Sequence, residues 1–168
     1  MFVLKPLSKE AVPAALEKAV RYRLLNEPEQ SESICHDVLK VDPDNAEALK
    51  TLILAVTDRL SGPRPASPQL ARDLLPRLRG DYDRAYYAGI IAEREGIAWL
   101  RSYRPQSGEA AYGCFRRAMA QFEAAEALRP PNNDDAKLRW NSCARMIEAH
   151  PDVRPADEEG DVTRDLGE

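Results

Sequence analysis

An all-helical fold is what this sequence predicts, and three observations predict it. Apolar residues recur at three- and four-residue steps along nearly the whole chain, strand-like alternation is not apparent, and short runs rich in Pro, Asn, Asp and Gly cut the periodic stretches apart. The 168 residues suit one domain. A composition 43% hydrophobic and 31% charged is that of a globular chain with a highly charged surface.

The first helix should begin near 11–13, because Pro13 is tolerated in a first turn that donates no intrahelical bond. Val12, Ala15, Leu16, Ala19 and Tyr22 then form one stripe, which stops at Asn26-Glu27-Pro28. A second helix over 29–40 turns Ile34, Cys35, Val38 and Leu39 inward, and Asp42-Pro43-Asp44-Asn45 starts a third over 45–60. After the loop 61–67, Ser67 as N-cap and Pro68 at the first helical position open a short fourth helix that Pro76 closes. The fifth runs over 81–103 and contains Gly89 and Gly96, each costing helix stability unless close packing compensates. The sixth, 109–128, points Phe115, Ala118, Met119, Phe122, Ala125 and Leu128 inward. The seventh, 134–149, presents Leu138, Trp140, Met146 and Ile147.

Nothing apolar repeats beyond Pro151, so residues 1–150 read as the folded domain and 151–168 as a charged, flexible tail whose removal should expose little. The tail carries seven carboxylates against Arg154 and Arg164, a net of −5, which leaves the body at +1. A body this close to neutral offers no cationic footprint for nucleic acid. Cys35, Cys114 and Cys143 are odd in number and far apart, with no CxxC pair, which speaks against a disulfide framework or a zinc site. The start Met-Phe-Val-Leu-Lys-Pro is too short and too soon polar for a secretory signal, and the longest apolar run, 52–56, is far below a membrane span. The expected setting is the cytoplasm, without membrane attachment.

The stretch 19–43 carries a small residue (Ala19), an aromatic three later (Tyr22), a small-x3-large pair (Ser31 and Cys35) and a closing Pro43. It resembles a tetratricopeptide repeat, and the turn around Asp42-Pro43-Asp44-Asn45 is similar to a junction between two such units. Pro76 lies one repeat length further on, and a stretched third unit runs from Tyr82 to Pro130. The resemblance implies an α-solenoid of stacked antiparallel helical hairpins, three degenerate repeats and a capping seventh helix, with the first helix of each pair lining a concave groove. In that register Leu16, Val20 and Arg23, then Ala48, Leu52 and Ala55, then Tyr86, Ile90, Glu93 and Arg94 face the groove. Lys137 and Asn141, one turn apart, are similar to the Lys-x3-Asn element with which some family members grip a C-terminal carboxylate. The first helix lacks a matching Asn, and a solvated polar face is the default reading of this pair.

The remaining chemistry-bearing residues have plainer readings. Asp134-Asp135 opens a helix, where carboxylates meet unpaired N–H groups, and Glu158-Glu159 lies in the tail. Cys35 and His36 point about 100° apart on a helix and do not form a nucleophile–base pair. Gly89 and Gly96 lie within a helix and are no phosphate loop. Tyr86 either faces the groove or packs on a neighbouring helix, and both readings stand open.

These features lead to an adaptor or scaffold that binds another protein, as a peptide or a helix, through Arg23, Tyr86, Glu93, Arg94, Lys137 and Asn141. It needs no metal or cofactor, and self-association is left open. The alternative is a small chaperone for a secreted or assembly-prone client. An enzyme is disfavoured, because no nucleophile, base and orienting group converge at recognisable spacing.

Overall fold

The computed structural model describes residues 2–156. Helix α1 is Val12–Leu24, with Pro13 in its first turn. It ends at Asn26, whose φ of 61° reverses the chain so that the Glu27 amide returns to the Tyr22 carbonyl at 2.9 Å. Helix α2, Pro28–Val41, opens on its own proline and buries Ser31, Cys35 and Val38. Asn45 caps α3 (Ala46–Asp58), its Oδ1 accepting from the Ala48 amide at 2.9 Å. Ser67 caps the short α4, Pro68–Arg72, and a 3-10 turn at Leu75–Arg77 follows. Helix α5 spans Asp81–Ser102, α6 Ser107–Ala127 and α7 Asp135–Ala149. There are seven α-helices and no strand among the described residues.

The arrangement is an all-α solenoid of stacked hairpins. Helices α1 with α2 and α5 with α6 form hairpins, while the return helix after α3 is shortened to α4. Helix α3 packs on α2, and α7 closes the stack on α6. The first helices also touch in series, α1 with α3, α3 with α5 and α5 with α7, whereas α2, α4 and α6 make no comparable contact with one another. A layer whose members touch, backed by one whose members stand apart, bends toward the touching side. The faces of α1, α3, α5 and α7 therefore form the inner face.

The core is a chain of linked clusters. Ala19, Cys35, Leu49, Leu52, Ile53 and Ile91 fill the space between the early helices, and Phe115, Phe122, Met119 and Ile90 fill the later hairpin. Tyr87 packs against both. Gly89 and Gly96 have the packing role that their place in a helix demanded. A Cβ on Gly89 would sit 2.5 Å from the Phe122 ring, and one on Gly96 would meet Phe115 at 3.0 Å, so the bare backbone lets α6 press its two phenylalanines onto α5.

Two expected core residues are exposed instead. Leu138 is 65% exposed, because Ala136, Cys143 and the partly buried Trp140 and Ile147 define the inward face of α7 and Leu138 lies about 200° around the helix from Ala136. Leu128, 52% exposed, falls just past the last turn of α6.

The domain boundary also moves. Val153 is 3% exposed and belongs to the late core, and the Asp152 backbone lies against Gly108 so closely that no side chain could fit there. The folded unit thus extends past Pro151 to about residue 154, and a lone valine has no period by which a sequence reading would detect it. The expected flexibility of the tail concerns, from 157 onward, residues outside those described. A chain ending at His150 is expected to lose about 1.5–3 kcal/mol through Val153 alone. A chain ending at Ala156 should keep this contact, and urea melts of the two shortened chains against the natural one check the difference.

Candidate functional site: the inner face

Cross-helix ion pairs organise the inner face. Asp58, the last residue of α3, accepts from Arg23 Nε on α1 at 2.5 Å and from Arg94 Nη1 on α5 at 2.6 Å. Two turns earlier on the same face of α3, Lys50 pairs with Asp83 of α5 at 3.0 Å. Between α5 and α7, the 4%-exposed Glu93 carboxylate accepts from Arg139 at 3.3 Å. Burial raises the Glu93 carboxyl above the ordinary carboxylate value, and Arg139 and Arg94 oppose that rise.

The expected groove residues separate into distinct groups. Arg23 and Arg94 come together, both half-buried, on the one carboxylate of Asp58. Tyr86 turns toward α6, its ring 6.0 Å from Phe122, stacked on Tyr82 at 5.7 Å and set edge-on to Tyr87 at 5.5 Å. Of the two readings left open for Tyr86, packing on the neighbouring helix is the one observed. Glu93 is enclosed and not presented. Lys137 pairs with Asp134 at 3.0 Å and with Glu126 at 3.7 Å, while Asn141 is exposed.

Ala48, Leu52 and Ala55 are corrected from groove to core, at 0%, 2% and 0% exposure, and Ile90 is buried likewise. On α3 the inner-face line is Lys50, Leu54 and Asp58, so the expected register is displaced around the helix. Nor does the acidic pair at the start of α7 cap it by side chain. Asn133 Oδ1 takes the Asp135 amide at 3.0 Å and the Tyr82 hydroxyl at 3.2 Å.

Sequence reasoning missed Asp58, Lys50 and Arg139. For the first two a signal exists: Lys50 and Asp58 interrupt the most apolar helix of the chain at four-residue steps through Leu54, a single polar line on an otherwise buried element. Arg139 carries no such signal.

The inner face supplies fixed charge and half-buried apolar surface, including the exposed Val20 and the half-buried Leu16 of α1. All three cysteines are free and buried, and burial pushes Cys35 to about 11 and Cys143 to about 12, with Cys114 also raised, so these thiols are protonated near neutral pH. No cluster of His, Cys, Asp and Glu that could hold a metal ion occurs among the described residues, and none of their helices is long and apolar enough to cross a membrane. No family model matches the chain, and neither a curated protein nor a solved structure matches it.

Proposed function

We propose that the chain is a protein-interaction adaptor of tetratricopeptide-like design that receives a peptide or helix of a partner on its inner face. The observation that carries this reading is the meeting of Arg23, Asp58 and Arg94, which brings side chains of three successive first helices to one spot on a continuous layer. Two guanidiniums share one carboxylate there, so the spot keeps a positive surplus beside Val20, and an acidic side chain flanked by an apolar one complements it. The repeat reading gains support from the first unit, where Ala19, Ser31 and Cys35 are all fully buried between helices, as small residues at a close helix crossing should be. Three free thiols suit a reducing compartment such as the cytoplasm.

The test needs a partner recovered by affinity capture and then measured against point variants. Val20→Glu and Arg94→Ala on the inner face should each weaken binding by about tenfold, while Gln121→Glu on the exposed side of α6 leaves it unchanged. Loss at Gln121 with full binding at Val20 and Arg94 would move the working surface to the outer side.

A further inference from the structure

We propose that the hollow between α5 and the loop over residues 60–68 binds a small aromatic carboxylate, at a ligand site separate from the inner face. Leu60, Pro65, Pro68, Ala98 and Trp99 supply its apolar lining, and its volume is about 250 Å³. That is room for one small ring system, below the range of drug-sized sites. The walls are held by local structure. Pro65 and Pro68 fix their own φ angles, the Ala66 amide donates to the Arg59 carbonyl at 3.3 Å, and Arg101 ties Ser61 to α5 at 3.1 Å. The Trp99 indole is half-buried, packed in part on the late core and in part lining the hollow. An indole beside apolar walls suits a flat aromatic body.

Two donors that line the hollow are not used by the rest of the described chain. Arg104 is exposed, and its guanidinium forms no hydrogen bond or ion pair among the described residues. Trp140 donates its indole N–H to Glu123 at 2.9 Å, whereas Trp99 Nε1 has no acceptor among the described residues. A guanidinium and an indole N–H beside an apolar floor are the donors that a ring-borne carboxylate needs. Among the described residues Glu95 is the one carboxylate lining the hollow, and it already accepts from Arg72 and lies 3.6 Å from Arg117. Three guanidiniums thus stand against one carboxylate, and the positive surplus favours an anion over a neutral ring. Glu109 and Asp152 line a second hollow that Arg104 also borders, and neither pairs with it.

The experiment titrates the full chain with 2-naphthoate and, in parallel, with 2-naphthamide, its neutral isostere. NMR follows the two tryptophan Nε1–Hε1 signals, assigned through Trp140→Phe. The Trp99 signal should move with 2-naphthoate while that of Trp140 stays, with a Kd of about 0.1–1 mM, the range for a small ligand in an open hollow. The amide should bind about threefold more weakly, and Arg104→Gln, at an exposed position, should bring the acid down to the affinity of the amide, as the loss of one exposed ion pair does. Ala98→Leu keeps a good helix former and fills the hollow, so it should weaken both probes about tenfold. If that variant melts early, Arg104→Gln and the acid–amide comparison decide alone. A stationary Trp99 signal, equal affinity of acid and amide, or unchanged binding of the acid by Arg104→Gln overturns the proposal. Val20→Glu, on the inner face, should leave both probes unaffected, so failure of this site and failure of the adaptor reading are distinguishable.

Discussion

Replacing Phe122 with alanine is expected to cost about 3–5 kcal/mol, the range for truncating a fully buried phenylalanine. The ring is fully buried, covers Gly89 and supports Tyr86. The same contact makes Gly89 informative. Glycine within a helix forfeits about 1 kcal/mol relative to alanine, yet Gly89→Ala in the natural chain should destabilise by about 1–3 kcal/mol, because the added methyl drives into the ring. With Phe122 already alanine the obstruction is gone, and Gly89→Ala should then stabilise by up to about 1 kcal/mol. A double-mutant cycle followed by chemical denaturation reads this reversal of sign. Additive effects would mean that the approach of α5 to α6 does not depend on that glycine.

Replacing Arg139 with methionine is the second large effect. It leaves the Glu93 carboxylate enclosed without its partner on α7, which is expected to cost about 3 kcal/mol near pH 7, the lower end for a broken buried pair because Arg94 stays beside it. Burial already raises the Glu93 carboxyl above its ordinary 4.5, so the folded chain holds that proton more tightly than the unfolded chain. Its contribution to stability is complete below the ordinary value and is lost as pH rises through the folded one. Without Arg139 the carboxyl rises further, and the deficit of the variant should shrink steadily as pH falls from 7 toward 4.5. Glu93→Gln should cost less, about 1 kcal/mol, since it strands no buried charge and Arg139 can turn to water. A deficit of Arg139→Met that does not change between pH 7 and pH 5 would show that lost packing, and not the ion pair, sets its size.

The local rules of helices were legible in the sequence. Pro13, Asn45 and Ser67 mark helix starts, Asn26-Glu27-Pro28 marks a stop, and the elements fall within a few residues of where the periodicity put them. The inner face was legible only in part. Arg23 and Arg94 share a surface as the repeat register implies, but the side chain that joins them, Asp58, is 35 residues from one and 36 from the other. Arg139 and Glu93 are 46 apart. Periodicity reports which way a side chain faces relative to its own helix and is silent on which distant residue meets it. It also loses precision on α3, where apolar residues surround most of the helix and Leu52 and Leu54 look equally suited to either side. Helix α3 touches α1, α2, α4 and α5, so nearly every direction around it is interior.

The stub-like α4 gives the solenoid an internal seam. In a linear array each repeat is held by its neighbours, and cooperativity is transmitted only as strongly as the weakest interface allows. Where α2 and α6 are long struts behind α1 and α5, α4 offers five residues and one 3-10 turn behind α3. The early block of α1 to α3 is therefore joined to the later block of α5 to α7 by α3 against α5 and by the short α4 with its 3-10 turn, and on the inner side Tyr87 and the Asp58 and Lys50 pairs are its rivets. These rivets belong to the inner face itself. Under the proposed function, a partner bound on this face would hold both blocks at once and tighten the seam, and the opening free energy would then measure ligation.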